Sequence, residues 1–385
     1  MKANHGGTER SKLGVLAYGP VQYHTPLYQL LAKRNNIELD VLFESDRGYS
    51  PIVDPLFGVS VSWDIDLLSG YASKFQTTTQ NPTSIARRIK ALIKWIPSHD
   101  AIVVNGYSSP WMLLAMGICR ARGIPYLLRG SSHPTGIATG FRRHLRHLAM
   151  KLIVTASSAA LSMGELNEEF YLKYKASNII FAPNSVDNDR FASQPPIGRS
   201  DILKRLGLED NGPLIIYCGK LYPGKRPLDL AAAVRLLPRE ATTLFVGEGV
   251  LADEVRAALM PGRGAVTGFV NQLELPAFYH AADVIVLPSE VEMWGLVINE
   301  AMAAGALPVV SDRVGAARDL VHGVGEIYPC GNVGNLATAL TRALEQANDP
   351  GTRDRVRRHV ARYSLEQTAI GFEQAVSTVT GKSLL

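Results

Sequence analysis

The chain has 385 residues, of which 46% are hydrophobic and 19% charged; this is typical of a globular protein of two domains, and no run of 18 apolar residues is present to form a transmembrane helix. Three distant cysteines in apolar surroundings, Cys119, Cys218 and Cys330, favour buried thiols in a reducing compartment over disulfides or a metal site. Residues 1–195 carry 21 Lys and Arg against 14 Asp and Glu, so we expect an anionic partner for this basic half.

The chain begins with a polar stretch followed by a βαβ pattern. Residues 1–12 are polar and predict no secretory signal peptide, so we expect a cytoplasmic protein. A buried strand is predicted over 12–18, a helix over roughly 26–34 and a second strand over 38–43. No Gly-x-Gly-x-x-Gly follows the first strand, which argues against a nicotinamide or flavin dinucleotide site.

Three polar side chains of the first half lie at or just after the carboxyl ends of predicted strands, where parallel sheets bind ligands. Tyr23 and His24 follow the first strand, and Arg129 ends a later one. They are candidates for contact with a substrate, and ordinary loop packing is the alternative. The later strands of this half are predicted over 101–105, 126–129 and 152–155.

Residues 83–96 predict a basic amphipathic helix, with isoleucines and a leucine on one face and four cations mostly opposite. Such a helix can bind anionic lipid headgroups, or it can pack on the sheet as an ordinary surface helix. A second basic cluster over 142–151 favours the membrane surface. Nucleic acid is not an expected partner, because no nucleic-acid-binding motif accompanies the charge.

The second half opens after a polar, proline-containing stretch over 192–212, which predicts a linker. A buried strand over 214–218 leads into a loop that carries Gly219, Lys220 and Lys225. Two cations at a strand end suit a nucleotide diphosphate, and a solvated basic turn is the alternative. A strand over 243–246 then ends at Gly247-Glu248-Gly249, where the missing side chains allow close backbone approach.

The most informative stretch is a strand–loop–helix–strand unit over 284–311. A strand over 284–287 leads into a loop with Glu292 and Trp294-Gly295, and a helix over 296–304 precedes a strand over 307–311. Glu292 falls at the carboxyl end of a strand, and Glu300, in the first two turns of the helix, can point toward the same crevice.

Glu292-x7-Glu300, set among Trp294-Gly295 and Glu300-Ala301-Met302-Ala303-x-Gly305-x-x-Pro308-Val309, resembles the signature of the retaining glycosyltransferases of family 4, or glycosyl transferases group 1. The resemblance spans most of the chain and is strongest over 214–311. It implies an α/β protein of the GT-B fold, with two Rossmann-like doubly wound domains facing across a cleft. The implied parts are an acceptor-binding domain over 1–191, the linker over 192–212, a nucleotide-sugar-binding domain over 213–363 and a helix over 364–385 that crosses back to the first domain.

The resemblance also implies roles for individual residues. Lys220 and Lys225 would stabilise the departing nucleotide diphosphate, although Lys220 stands where the family has Arg. Glu300 would accept hydrogen bonds from the ribose, and Glu292 would contact the donor sugar. His133, in the loop after Arg129, would also contact the sugar. The remaining implied donor contacts are Gly219, Gly249, Phe269 after Gly268, and the amides of Gly295, Leu296 and Val297.

The function implied is a hexosyltransferase that moves a sugar, with retention, from a UDP- or GDP-sugar to a glycan acceptor that we expect to be lipid-linked. Such an enzyme would act in cell-surface polysaccharide or lipopolysaccharide synthesis, in the cytoplasm or peripherally on the inner face of the plasma membrane. Neither a metal nor another cofactor is expected, because lysines supply the positive charge. The alternatives are a sugar-nucleotide 2-epimerase of the same fold and a non-catalytic module that binds nucleotide sugars or membranes.

Overall fold

The computed structural model describes residues 10–49, 52–53, 60–132, 140–238 and 241–384. The chain forms two compact units. Unit 1 comprises Met1–Ser50, Asp66–Pro183 and Leu365–Leu385, and unit 2 comprises Pro51–Ile65 and Asn184–Ser364. The larger segment of unit 2 therefore begins at Asn184, whereas the sequence predicted that the first domain ends at residue 191. Unit 2 also includes a short stretch of the first half of the chain.

The described residues form fifteen strands and fourteen α-helices. The strands are β1 (Ser11–Ala17), β2 (Ile37–Phe43), β3 (Ile52–Val53), β4 (Ser60–Val61), β5 (Ala72–Phe75), β6 (Ala101–Asn105), β7 (Tyr126–Arg129), β8 (Ala159–Ser162), β9 (Ile179–Phe181), β10 (Leu214–Cys218), β11 (Thr242–Val246), β12 (Gly264–Gly268), β13 (Val284–Leu287), β14 (Leu307–Ser311) and β15 (Glu326–Tyr328). The helices are α1 (Thr25–Lys33), α2 (Ile85–Trp95), α3 (Pro110–Arg122), α4 (Gly140–Ala156), α5 (Glu165–Lys173), α6 (Asn188–Ala192), α7 (Arg199–Arg205), α8 (Pro227–Ala233), α9 (Ala252–Ala258), α10 (Leu275–Ala281), α11 (Leu296–Ala304), α12 (Val333–Ala347), α13 (Thr352–Val360) and α14 (Leu365–Thr380).

Each unit is built on a parallel sheet, and the two strand orders are alike. The order in unit 1 is β5-β2-β1-β6-β7-β8-β9, and in unit 2 it is β12-β11-β10-β13-β14-β15. The neighbouring strands of both sheets run parallel, and the central ones are almost wholly apolar and buried on both faces, as parallel sheets require. This confirms the predicted fold class of Rossmann-like doubly wound units.

In unit 1 the sheet lies between two helical layers. The side chains of α1 and α14, such as Leu31 and Phe372, pack on one face, and those of α2, α3, α4 and α5, such as Met116 and Val154, pack on the other. The helix α14 lies very close to β9, since a Cβ at Gly371 would be 2.3 Å from the Phe181 carbonyl oxygen. The carboxyl-terminal helix is thus part of unit 1.

The predicted strand over 152–155 is wrong, because these residues form the last turns of α4. The apolar run has β-branched residues, but its burial follows a helix: Val154 is fully buried against the core while Leu152 is exposed. The strand that follows is β8. The predicted linker over 192–212 likewise contains a helix, α7, which buries Ile202 and Leu203.

Unit 2 adds a small antiparallel hairpin, β3 and β4, that comes from the first half of the chain. Its six-stranded sheet has the order in which β10 and β13 are central neighbours while their next neighbours, β11 and β14, extend in opposite directions. That position is the topological switch point of a Rossmann-like sheet, where ligands bind outside the carboxyl ends of the strands. Within the described residues no helix has the length and apolar character needed to cross a membrane.

Candidate functional site

The loops after β10 and β13 leave the sheet of unit 2 on either side of its switch point. They are joined directly, because the Glu290 amide donates to the Gly224 carbonyl at 3.0 Å. The two loops carry the cations and acids that the sequence nominated, so the switch point brings together residues about 70 positions apart in the chain. This crevice in unit 2 is the candidate site.

Lys225 and Glu292 form an ion pair across these loops. The Lys225 Nζ donates to Glu292 Oε2, and both side chains are half-buried. The neighbouring Arg226 binds Asp229 at 2.7 Å and lies 3.6 Å from Glu290, so it is occupied by other carboxylates. A cation next to an acid at a strand end can exchange its partner for the phosphate of a ligand, which would leave the acid available for a hydroxyl group.

The loop that carries Glu292 is fixed in shape up to the start of α11. The Glu292 carbonyl accepts from the Gly315 amide at 2.9 Å, and the Trp294 carbonyl accepts from the Ala316 amide at 3.1 Å. Gly295 has φ of +98°, and a Cβ there would lie 2.8 Å from Leu287, so a glycine is needed at this turn. The amides of Leu296 and Val297 follow in the first helical turn, which lacks intrahelical acceptors and suits an electronegative ligand atom.

Glu300 is the buried acid of the site, with only 1% of its surface exposed. Its Oε2 accepts a hydrogen bond of 2.6 Å from the Tyr279 hydroxyl, whereas its Oε1 has no partner among the described residues. Burial raises the pKa of Glu300 to about 7, against smaller opposing effects of Tyr279 and Arg190. An unsatisfied buried carboxylate oxygen is costly to maintain and is therefore a natural acceptor for a ligand hydroxyl.

The glycine-containing loops after β10 and β11 pack against each other. The Gly219 amide donates to the Val246 carbonyl at 2.9 Å, and the Leu221 amide donates to the Glu248 carbonyl at 2.9 Å. Gly249 has φ of +153°, and a Cβ there would lie 2.4 Å from the Leu221 carbonyl oxygen. The contact between the two loops therefore requires a glycine at position 249.

The other predicted donor contacts lie on the edges of this site. Lys220 follows β10 and is half-buried, with its carbonyl accepting from the Tyr217 hydroxyl at 2.7 Å. Phe269 follows β12 and is half-buried, and its ring contacts Trp63 with a centroid distance of 6.2 Å. Tyr279, Arg190 and Trp63 were not nominated from the sequence; each belongs to an ordinary-looking stretch, and only the fold brings it to the site.

The candidates in unit 1 have a different environment. Arg129 is 3% exposed, and its guanidinium donates to the Ala182 carbonyl at 2.7 Å and to the Pro183 carbonyl at 3.3 Å. Burial lowers the pKa of Arg129 to about 10, so it remains a cation at neutral pH. Arg129 therefore braces the end of the sheet.

His24 is half-buried before α1, and its Nδ1 lies 3.5 Å from Asn105 Nδ2. Burial, with the charge of Arg129 as a second cause, lowers the pKa of His24 to about 4, so the imidazole is neutral. Tyr23 precedes it and is also half-buried. His133 lies outside the described residues.

No group of three or more His, Cys, Asp or Glu side chains suited to a metal ion occurs in the part of the chain that the structure describes. Cys119 and Cys218 are buried thiols, and Cys330 is half-buried.

Comparison with known proteins assigns the chain to a family. The model of "Glycosyl transferases group 1" matches residues 198–361, which include the candidate site. The 2-deoxystreptamine glucosyltransferase of Streptomyces kanamyceticus is 30% identical over 277 residues, which are 64% of this chain and 68% of that protein. The chain belongs to this glycosyltransferase family. The family that the sequence was predicted to belong to is therefore confirmed.

Other group 1 relatives match shorter or more divergent parts. A D-inositol 3-phosphate glycosyltransferase of Xylanimonas cellulosilytica is 33% identical over 192 residues, so the chain spans 45% of that protein's length. An Escherichia coli UDP-Gal:alpha-D-GlcNAc-diphosphoundecaprenol alpha-1,3-galactosyltransferase is 25% identical over 296 residues, which are 70% of this chain and 74% of that enzyme.

Solved structures confirm the fold of this family member. HepE of Anabaena, crystallised in complex with UDP, superimposes with a TM-score of 0.73 at 15% identity, covering 95% of this chain and 100% of HepE. Sucrose-phosphate synthase of Thermosynechococcus elongatus superimposes with a TM-score of 0.69 at 18% identity, covering 97% and 100%. The chain has the GT-B fold.

Proposed function

We propose that the protein is a retaining glycosyltransferase that moves a hexosyl group from a nucleotide diphosphate sugar to a lipid-linked glycan acceptor. The observation that carries the proposal is the Lys225–Glu292 ion pair at the switch point of unit 2. A cation and an acid on two loops meet there beside the first turn of α11, within the segment that the family model matches. A donor with a diphosphate and a sugar needs both groups.

The binding of the donor would exchange the partners of this pair. The diphosphate would take Lys225, with Lys220 as the second cation, and so neutralise the charge that develops on the leaving group. Glu292 would then be released to accept hydrogen bonds from the donor sugar. The first-turn amides of α11 and the positive end of that helix would hold further sugar oxygens.

Glu300 would bind the ribose. Its Oε2 is held by Tyr279, and its free Oε1 offers one acceptor to a ribose hydroxyl. Burial raises the pKa of the Glu300 carboxyl to about 7. A ribose hydroxyl that donates a hydrogen bond to Oε1 would favour the ionised carboxylate and so lower this pKa. For the chemical step we propose a front-face path, in which the leaving phosphate oxygen takes the acceptor proton and no covalent enzyme intermediate forms. Neither metal nor other cofactor is part of this proposal.

The activities for which relatives are named support the donor and acceptor classes. The Escherichia coli enzyme is named for a UDP-sugar and a diphosphoundecaprenol acceptor, and HepE was crystallised with UDP. We propose a UDP- or GDP-sugar donor and an acceptor on a lipid diphosphate, as used in cell-surface polysaccharide or lipopolysaccharide synthesis. The basic first half of the chain suits such an anionic acceptor.

A face of unit 1 supports peripheral attachment to the inner membrane surface. The helix α4 exposes three leucines at helical spacing, Leu145, Leu148 and Leu152, and the exposed cations Arg146 and Lys151 lie on the same helix. Exposed leucines next to cations are typical of helices that lie in the interface of an anionic membrane. The α2 helix, predicted for this role, adds exposed Ile85 and Ile93.

The test is to incubate the protein with a panel of UDP- and GDP-sugars, with and without undecaprenyl-diphosphate-linked sugars, and to analyse both nucleotide and sugar products. We expect nucleotide diphosphate release that depends on the acceptor and an anomeric configuration that is retained. An inverted product would overturn the retaining assignment. Conversion of the donor to its 2-epimer without acceptor would favour the epimerase, and tight nucleotide binding without any turnover would favour the binding module.

A further inference from the structure

A short segment from the first half of the chain is bound to the loop that follows β12. This strap, residues 62–64, comes directly after β4 and belongs to unit 2. All three of its residues contact the loop over 268–273. Asn271 Nδ2 donates to the Ser62 carbonyl at 2.7 Å, the Leu273 amide donates to both carboxylate oxygens of Asp64 at 3.2 Å, and the Trp63 ring lies against Phe269.

The same loop is braced from a second direction by Arg190. The guanidinium of Arg190 donates to Gln272 Oε1 at 3.2 Å and also to the Gln272 carbonyl. The charge of Arg190 also contributes to lowering the pKa of Glu300, against the larger effect of burial. The loop is therefore held between the strap and a cation that acts on the buried acid of the candidate site.

The position of this loop relates its contacts to the proposed donor site. It leaves the carboxyl end of β12, at the edge of the half-sheet β10-β11-β12. Phe269 in it is one of the donor contacts that the family resemblance implies. We assign this contact to the nucleobase, because the proposed diphosphate site lies on the loops after β10 and β13. A loop without regular structure must otherwise be ordered when a ligand binds, and that ordering weakens affinity. The carboxylate of Asp64 and the indole of Trp63 keep the loop ordered before the ligand arrives.

We infer that Trp63 and Asp64 are positioning residues that fix the loop over 268–273 and so determine selectivity for the nucleobase of the donor. The inference rests on the proposed function. Trp63 acts through the ring of Phe269, and Asp64 acts through the backbone of Leu273. The diphosphate is held elsewhere, by the loops after β10 and β13, so the strap affects the base-dependent part of donor binding and leaves the phosphate-dependent part unchanged.

The experiment compares Trp63→Ala and Asp64→Ala with a matched control, Asp66→Ala. Asp66 is also an exposed carboxylate that accepts from backbone amides, Leu68 at 2.9 Å and Ser69 at 3.1 Å, but these lie in unit 1. Dissociation constants are measured by calorimetry for UDP, GDP and inorganic pyrophosphate, together with KM and kcat for the donor. Trp63→Phe tests rescue, because a phenyl ring keeps the aromatic contact with Phe269.

For each strap variant we expect the preferred nucleoside diphosphate to bind about tenfold more weakly, a loss typical of one removed ordered contact. Pyrophosphate affinity and kcat should stay as in the wild type, the preference between UDP and GDP should narrow, and Trp63→Phe should restore it. If pyrophosphate and nucleotide affinities fall equally, or if the preference between UDP and GDP survives in both variants, the positioning role of the strap is wrong and the proposed function still stands. A wild-type protein that binds neither UDP nor GDP would overturn the proposed function and the strap with it.

Discussion

In unit 2 the carboxyl ends of β10 and β13 carry Lys225 and Glu292 as a half-buried ion pair, whereas in unit 1 the carboxyl end of β7 carries Arg129 with its guanidinium buried against backbone carbonyls. The two sheets have matching strand orders, so topology alone does not explain the difference. The partners do: Lys225 holds another side chain that can be replaced, and Arg129 holds main-chain oxygens that cannot leave. Unit 2 therefore carries the exchangeable charges that we propose for donor binding.

The largest effect that would test this comparison is expected at Lys225. Lys225→Ala removes the cation proposed to neutralise the leaving diphosphate, and we expect kcat/KM to fall by about 100- to 1000-fold with the fold retained. The measurement is steady-state transfer, with circular dichroism and Tm as checks on folding. Lys204→Ala, which removes an exposed lysine of α7, serves as the control and should keep full activity. Normal activity in Lys225→Ala would remove the ion pair from the proposed site.

The opposite pattern is expected at Arg129. Arg129→Met keeps the aliphatic bulk but removes the guanidinium that donates to the Ala182 carbonyl, and it leaves the Pro183 carbonyl with the Thr368 hydroxyl as its donor. The free energy of unfolding should therefore fall by about 2 kcal/mol. Denaturant unfolding measures this loss. The kcat of the folded fraction should remain that of the wild type. A loss of kcat as large as that of Lys225→Ala, with stability unchanged, would instead show that Arg129 contacts the acceptor.

Two buried glutamates sharpen the comparison by their response to pH. Burial raises the pKa of Glu300 in the folded state to about 7 from an ordinary value of 4.5. Between these two values the folded protein binds a proton that the unfolded chain has lost, so stability falls as pH rises from about 4.5 to about 7 and is level above that range. Above neutral pH, the ionised Glu300 lowers the free energy of unfolding by on the order of 3 kcal/mol relative to its value below about pH 4.5.

Glu300→Gln should therefore stabilise the free protein at about pH 8 by up to this amount and have little effect at about pH 5, while it weakens donor binding. The matched variant in unit 1 is Glu373→Gln. Glu373 is also buried, but it accepts from Asn36 at 2.9 Å and lies 3.8 Å from Arg34, so its replacement should destabilise the protein by about 1–2 kcal/mol. Thermal unfolding across this pH range measures both. If Glu373→Gln stabilised the protein, the different hydrogen-bond partners of the two glutamates would not explain their different effects on stability.

Much of the fold could be predicted from the sequence. The strands β10, β13 and β14 and the helix α11 lie where the apolar runs and the stop at Gly305 placed them. Local pattern was sufficient here because each element is buried nearly throughout. It failed over 152–155, because a short apolar run rich in β-branched residues fits a strand as well as the end of a helix.

The site was less predictable, for a physical reason. The charge and spacing of Lys225, Glu292 and Glu300 could be read from the motif, but their partners could not. Tyr279 reaches Glu300 from another helix, and Trp63 reaches Phe269 from the strap about 200 residues away in the chain. The burial of Arg129 also depends on where β9 ends. Such contacts are set by tertiary packing, which no local pattern contains.

The smallest expected effect concerns the exposed leucines of α4 in unit 1. We propose that this helix, rather than the strand ends of unit 1, gives the unit its role by binding the membrane. Leu152→Gln replaces a leucine of α4 that is 61% exposed, and Leu236→Gln is a matched control in unit 2 at 60% exposure. If α4 lies on the membrane, Leu152→Gln should weaken sedimentation with phosphatidylglycerol-containing vesicles about three- to tenfold, since the apolar contact is partly lost. Leu236→Gln should bind as the wild type does. Equal binding of both variants, or wild-type binding no stronger than to phosphatidylcholine alone, would place the membrane-facing surface elsewhere or remove it, and the basic charge of unit 1 would then act on the soluble part of the acceptor.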